Sequence, residues 1–136
     1  MNKASEQEKD FHSSDIDQSD FDRSTLTEYI QNHYQTDPEY PWASYPKHAV
    51  FRHASNQKWF AVLMDIAKSK LDLHSENIVT VLNTKLPPDF IGSARQNARI
   101  YPAYHMNKEH WVSIVLSEST AQIVLDCLHE SYLCTE

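Results

Sequence analysis

The chain has a single glycine, Gly92, in 136 residues. A dinucleotide fingerprint or a Walker A loop needs several glycines so that backbone can approach phosphate, and neither can be built here. Tight turns are expected to fall to Asn, Asp and Pro instead. Cysteine is nearly as scarce. Cys127 and Cys134 both lie near the C-terminus. Seven positions apart on one helix, they would stand roughly 10 Å apart along its axis, too far for a disulfide. Two reduced thiols are expected, at least one of them packed inside. No apolar run approaches the roughly 18 residues of a membrane helix. The first ten residues are polar and acidic, without the apolar core of a signal peptide. A cytoplasmic protein with no membrane partner is the expectation. Nucleophile motifs are missing too: the cysteines are placed on a helix, and no serine sits at a strand-to-helix elbow. Paired carboxylates are absent from the basic loops. The sequence therefore reads as a non-enzyme without a cofactor.

What is present supports a packed domain. Hydrophobic residues make up 40% and charged residues 23%, enough apolar material to exclude a wholly disordered chain. The formal charge of −7 is unevenly spread. Residues 1–40 alone carry −7, residues 41–136 are neutral, and residues 41–108 carry +5. Residues 1–20 combine Ser, Asp, Glu and Gln with few apolar groups and are expected to be a disordered acidic tail. Residues 21–136 are expected to form one domain.

Periodicity sets the element order. Leu26, Tyr29, Ile30, His33 and Tyr34 make one helical stripe over residues 22–36, with Ser24 or Thr25 as its cap and Asp37-Pro38 as its stop. His33, on that stripe, is expected to pack. Three prolines in residues 38–46 forbid a helix, and Tyr40, Trp42 and Tyr45 are expected to lay this segment on the core. Strands follow at residues 49–53, 59–66 and 78–84, with a polar loop over 67–77. A short helix opens at Leu86-Pro-Pro-Asp89 and runs to about residue 98. Strands at 99–105 and 110–116 flank the turn 106–109. A last helix over 119–133 shows the stripe Ala121, Val124, Leu125, Leu128 and Tyr132. The order α-β(3)-α-β(2)-α predicts an α+β fold, one antiparallel sheet with helices packed on it.

Two turns carry the most suggestive chemistry. Arg52, Asn56 and Lys58 cluster before Trp59, and His105, Asn107, Lys108 and His110 before Trp111. Cations give affinity for phosphate, and amide or imidazole groups add base or sugar contacts. Paired wings on DNA are one reading; ordinary turn chemistry backed by packing tryptophans is the other. A second functional reading is a protein- or peptide-interaction module, with the Tyr40–Pro46 aromatics as a recognition patch. A third is a metal site or enzyme built on His105 and His110, although zinc wants three or four ligands and nothing nearby completes the set. A monomer is expected.

Glu39-Tyr-Pro-Trp, Ala49-Val-Phe-Arg-His, Lys58-Trp-Phe-Ala, Ser131-Tyr-Leu and above all Pro102-Ala-Tyr-His-Met-Asn-Lys-Glu-His-Trp resemble the MmcQ/YjbR-like family. The resemblance spans residues 25–133. It implies a YjbR-type, secretion-chaperone-like fold related in shape to CyaY-like domains. It also implies a DNA-binding double wing, with Arg52, Lys58, Asn107 and Lys108 at the tips. No catalytic residue or cofactor comes with it. Any DNA binding by a chain with so acidic an N-terminal part is expected to be weak and salt-sensitive.

Overall fold

The computed structural model of the chain describes residues 22–96 and 100–136. The acidic-tail reading of residues 1–20, the last residues of the predicted second helix and the start of the predicted fourth strand lie outside the described residues. The first helix, α1, is Arg23–Tyr34. Its cap is Asp22, not Ser24 or Thr25: the carboxylate accepts from the Thr25 backbone N–H and hydroxyl, each at 2.9 Å, satisfying a donor that the first helical turn leaves open. These bonds, the backbone one foremost, hold the Asp22 carboxyl below the usual carboxylate range. The helix ends at Gln35, which takes a left-handed conformation, three residues ahead of the proline expected to stop it.

The sheet contains β1 (Ala49–Arg52), β2 (Trp59–Ala67), β3 (Ile78–Lys85), β4 (Ile100–Pro102) and β5 (Trp111–Val115). Its order is β1-β2-β3-β5-β4, every pairing antiparallel. Helices α2 (Pro88–Arg95) and α3 (Ala121–Thr135) complete an α+β fold, three helices and a five-stranded sheet among the described residues. The polar stretch 67–77 includes a short 3-10 turn, Lys68–Leu71, ended by a left-handed Asp72. The second hairpin turn is longer than expected, because β4 ends at Pro102 and β5 begins at Trp111. Among the described residues, left-handed backbone falls on Gln35, Gln57, Asp72 and His105, and one of these four has the expected Asn or Asp. Gly92 serves no turn; it sits inside α2.

The two faces of the sheet bury different residues. Leu26 and Ile30 of α1, Ile91 of α2 and Val124 and Leu128 of α3 cover Phe51, Phe60, Ala61, Leu63, Leu82, Val112 and Ile114. Among the described residues, no helix covers the other face. Val50, Val62, Met64, Ile66, Val81 and Val115 are buried there under Trp42, Trp59, Leu71, Leu73, Tyr101 and Tyr104. A β-bulge governs which aromatic faces which side. Phe51 pairs with Ala61 and Arg52 with Trp59, so Phe60 is the extra residue of β2. Phe60 and Ala61 therefore both face the helices, and Trp59 joins Val62 and Met64 on the opposite side.

α3 is fastened by polar groups. Buried Ser131 donates to the Phe60 carbonyl at 2.6 Å and accepts the Lys85 N–H at 2.8 Å, bridging two strands from one helix position. Buried Thr135 meets His53 Nε2 at 2.7 Å, and the Thr135 carbonyl accepts from the Asn56 amide at 3.0 Å. His33 lies outside this packing: it is exposed and stacks on Tyr29, 5.0 Å between centroids.

Candidate functional site: an aromatic cavity on the helix-free face

The Pro-rich segment folds by successive turns. The Tyr45 N–H reaches the Trp42 carbonyl at 3.1 Å, and the His48 N–H reaches the Tyr45 carbonyl at 3.0 Å. Pro46 takes the second position of the latter turn, where its fixed φ is favourable. Glu39 and Val50 exchange backbone bonds of 2.9 and 2.8 Å, which pins the segment to the outer edge of β1. The folded segment carries Trp42 and Tyr45 over the sheet.

The result is a cavity of about 300 Å³ lined by Trp42, Tyr45, His48, Trp59, Val62, Met64, His105 and Met106. One wall is a continuous run of rings. Tyr45 stacks on His48 (4.8 Å, 8°), His48 meets Trp42 edge-on (6.2 Å), and Trp42 meets Trp59 edge-on (5.7 Å, 86°). The Arg52 guanidinium lies 5.9 Å from the Trp59 ring centre. Val62 and Met64 of β2 supply the floor. The far wall comes from the 103–110 loop, where His105 adopts a φ of 63° and packs its ring 4.0 Å from that of Tyr104.

That loop is drawn onto the sheet by a buried polar network. Ser113 donates to Asn83 Oδ1, the Asn83 amide donates to the Tyr104 carbonyl at 2.9 Å, and the Tyr104 N–H donates to Ser113 Oγ at 3.0 Å. Each buried polar atom in the set has a partner, as burial demands. His48 is 8% exposed. Burial pushes its imidazole below the ordinary value, with Arg23 and His105 acting in the same direction and Asp65 opposing them.

The residues singled out from the sequence divide. His105 lines the cavity. Arg52 forms an ion pair with Glu39 at 3.0 Å, beside Trp59. Asn56 is tied to the end of α3 and to the Lys58 N–H at 2.8 Å. The Asn107 side chain accepts the Glu109 N–H at 2.7 Å, within its own turn, and the Lys108 carbonyl accepts from Arg95. Lys58 and Lys108 have exposed side chains; His110 is half-buried and its carbonyl accepts the Leu86 N–H. Both turns stand at one end of the sheet, since Trp59, Lys85 and Trp111 share that end by register. Three strand spacings, roughly 14 Å, separate them. Among the described residues, no three His, Cys, Asp or Glu side chains gather to hold a metal ion, and no helix is long and apolar enough to cross a membrane.

Met64, Met106 and the inward place of His48 escape sequence reasoning. The signal was the bulge, which turns Trp59 toward these residues, and an apolar run such as Trp-Phe-Ala-Val does not disclose it.

The helix-backed antiparallel sheet is matched by known proteins. The YjbR family model covers residues 31–134, and the chain belongs to that family. The uncharacterized protein YyaQ of Bacillus subtilis (strain 168) is 40% identical over 97 residues, 71% of this chain and 82% of that protein. A crystal structure of a Pseudomonas syringae protein superposes with a TM-score of 0.82 at 39% identity, covering 85% of this chain and all of the other. A Deinococcus radiodurans structure with a DUF419 domain, TM-score 0.62 at 23% identity over 83% of this chain and 77% of that one, shares the fold. None of these names carries an enzyme activity or a ligand.

Proposed function

We propose that this YjbR-family domain is a non-enzymatic binding module that holds a protein or peptide partner at the aromatic cavity of its helix-free face. The observation that supports this most is the wall Tyr45–His48–Trp42–Trp59. Concave sites lined by aromatic and apolar groups with few polar ones are the usual form of a recognition pocket. Tyr40 and Tyr45, in the segment that builds the wall, remain 54% and 50% exposed, so a bound chain has aromatic surface to lie on beyond the cavity. Panning an unbiased displayed peptide library on the full chain tests the reading. Enriched peptides that no longer bind the Tyr45→Asp variant are expected. No enrichment, or enrichment indifferent to Tyr45→Asp, rejects it.

A second reading, DNA binding by two hairpin wings, is favoured by one observation: both turns stand at the same end of the sheet with Lys58 and Lys108 exposed. In this reading Arg52, Asn56, His105, Asn107 and His110 would supply the remaining contacts, although Asn56 and Asn107 already serve internal bonds. Phosphate neutralisation by so few free cations makes the affinity weak and salt-sensitive. Titration with fluorescent duplex DNA at low salt decides. Saturation lost in a Lys58→Ala/Lys108→Ala double variant supports the wings; no saturation, or binding unchanged by the double variant, removes them.

A further inference from the structure

The lining of the cavity also restricts what can enter it. Its volume, about 300 Å³, is at the small end of ligand pockets, so it takes one side chain and not a length of backbone. Its surfaces are ring faces, ring edges, two methionine sulfurs and Val62. Aromatic rings pack favourably edge-on or offset against other rings, and thioethers make favourable contacts with ring edges. A guest ring meets both kinds of surface here, whereas a branched aliphatic side chain gains only burial.

The charges near the cavity exclude two alternatives. A cationic guest would find no carboxylate among the lining residues, and the Trp59 ring that would receive it already has the Arg52 guanidinium nearby. It would instead face the imidazoles of His48 and His105. An anionic guest fares no better inside, since no Lys or Arg lines the cavity and buried His48 favours its neutral form. The two imidazoles are nonetheless hydrogen-bonding groups, suited to one N–H or O–H on an otherwise apolar ring.

Outside the cavity the balance is different. Lys47 and Lys58 are each the chain neighbour of a lining residue, His48 and Trp59. Both are exposed, and neither forms an ion pair with a described residue. The nearest carboxylate in the segment, Glu39, is held by Arg52 at 3.0 Å. Among the described residues, two positive charges next in the chain to the lining are thus left without an ion pair, beside a lining that holds no Lys, Arg, Asp or Glu.

We propose that the cavity receives the single indole or phenol ring of a Trp or Tyr in an acidic stretch of a partner chain, the flanking carboxylates meeting Lys47 and Lys58. This rests on the binding-module reading above and names the chemistry of its partner. The ring supplies the desolvated anchor, and the flanking charges steer the encounter.

The test uses the full chain and blocked pentapeptides, followed by amide and indole N–H resonances. The first peptide has a central tryptophan with two acidic residues on each side. It is expected to saturate, with the largest shifts at the Trp42 and Trp59 indoles. Replacing its tryptophan by leucine is expected to weaken binding roughly tenfold or more, as loss of a buried aromatic anchor does. Lysine flanks in place of the acids, or a Lys47→Glu/Lys58→Glu variant whose exposed sites tolerate the change, are expected to weaken it by about tenfold at low salt and less at high salt. Equal binding of the leucine peptide overturns the ring assignment, and equal binding of the lysine-flanked peptide overturns the acidic flanks. If no pentapeptide saturates while panned peptides still depend on Tyr45, this inference fails and the binding-module reading survives; if both fail, both are rejected.

Discussion

Ser113 on β5 and Asn83 on β3 are paired across the sheet, and the Ser113 hydroxyl donates to the Asn83 carboxamide oxygen at 2.5 Å with both residues fully buried. Through Tyr104 this pair fixes the loop that forms one wall of the cavity. Ser113→Ala and Asn83→Ala are each expected to cost about 1–3 kcal/mol, because each leaves buried polar partners unsatisfied. The double variant should lose less than the sum, since both substitutions break one network. Urea unfolding measures the three values, and faster hydrogen exchange at the Tyr104 amide checks that the loop is what loosens.

Ser131→Ala removes a hydroxyl that bonds the Phe60 carbonyl and the Lys85 N–H together. A loss of about 1–3 kcal/mol is expected. Ser131→Cys keeps the approximate size but bonds weakly, and should fall near the alanine value. Chemical denaturation of the two variants beside the parent chain provides the check.

Gly92→Ala is expected to stabilise the protein by roughly 0.5–1 kcal/mol. Gly92 lies inside α2, its φ is not positive, and an added Cβ would meet no atom within 4 Å. A rise of a few degrees in Tm, read by calorimetry, is the expected result.

The His48 imidazole is held below 6.5 by burial in the folded protein. Its folded state therefore binds fewer protons than its unfolded state at mildly acidic pH. The stability this group contributes is whole above 6.5 and declines as pH falls from there toward the folded value. His48→Gln should flatten the dependence of stability on pH below 6.5, with the difference vanishing above it. Denaturation midpoints across that range test the sign.

Burial raises the Cys127 thiol to about 11, with Asp126 and Glu130 adding to the effect. Cys134 is also raised, but is exposed and has Lys85 pulling the other way. Thiolate is the reactive form, so at mildly alkaline pH alkylation of Cys134 should precede that of Cys127. Peptide mass mapping over time reads the order.

Much of the fold was legible because it follows from repeating patterns. The apolar spacing of Leu26 and Ile30, the β-branched run from Ile78 and the prolines opening α2 each announce an element without reference to the rest of the chain. What remained hidden is polar or non-repeating. Ser131 and Thr135 continue the buried stripe of α3, yet no hydropathy pattern ranks them as core, since burial is made possible by bonds to Phe60, Lys85 and His53. The left-handed turns at Gln35 and Gln57 use a residue with no special preference for that backbone. The cavity draws on the 42–48 segment, β2 and the 105–106 loop, three stretches that only the sheet register brings together. From the sequence, Tyr45 and Trp42 were legible as a patch and His105 as a site residue, but not as members of one wall.

The extra residue at Phe60 behaves as a phase shift in an alternating code. Everything before it in β2 is read out on the opposite side from where strict alternation would put it. Strict alternation of the same residues back from Ala61 would exchange the addresses of two aromatic rings, Trp59 facing the helices and Phe60 the opposite side. Among relatives, sequence similarity across this strand is thus a poor guide to a shared binding surface unless the length between Arg52 and Ala61 is also kept.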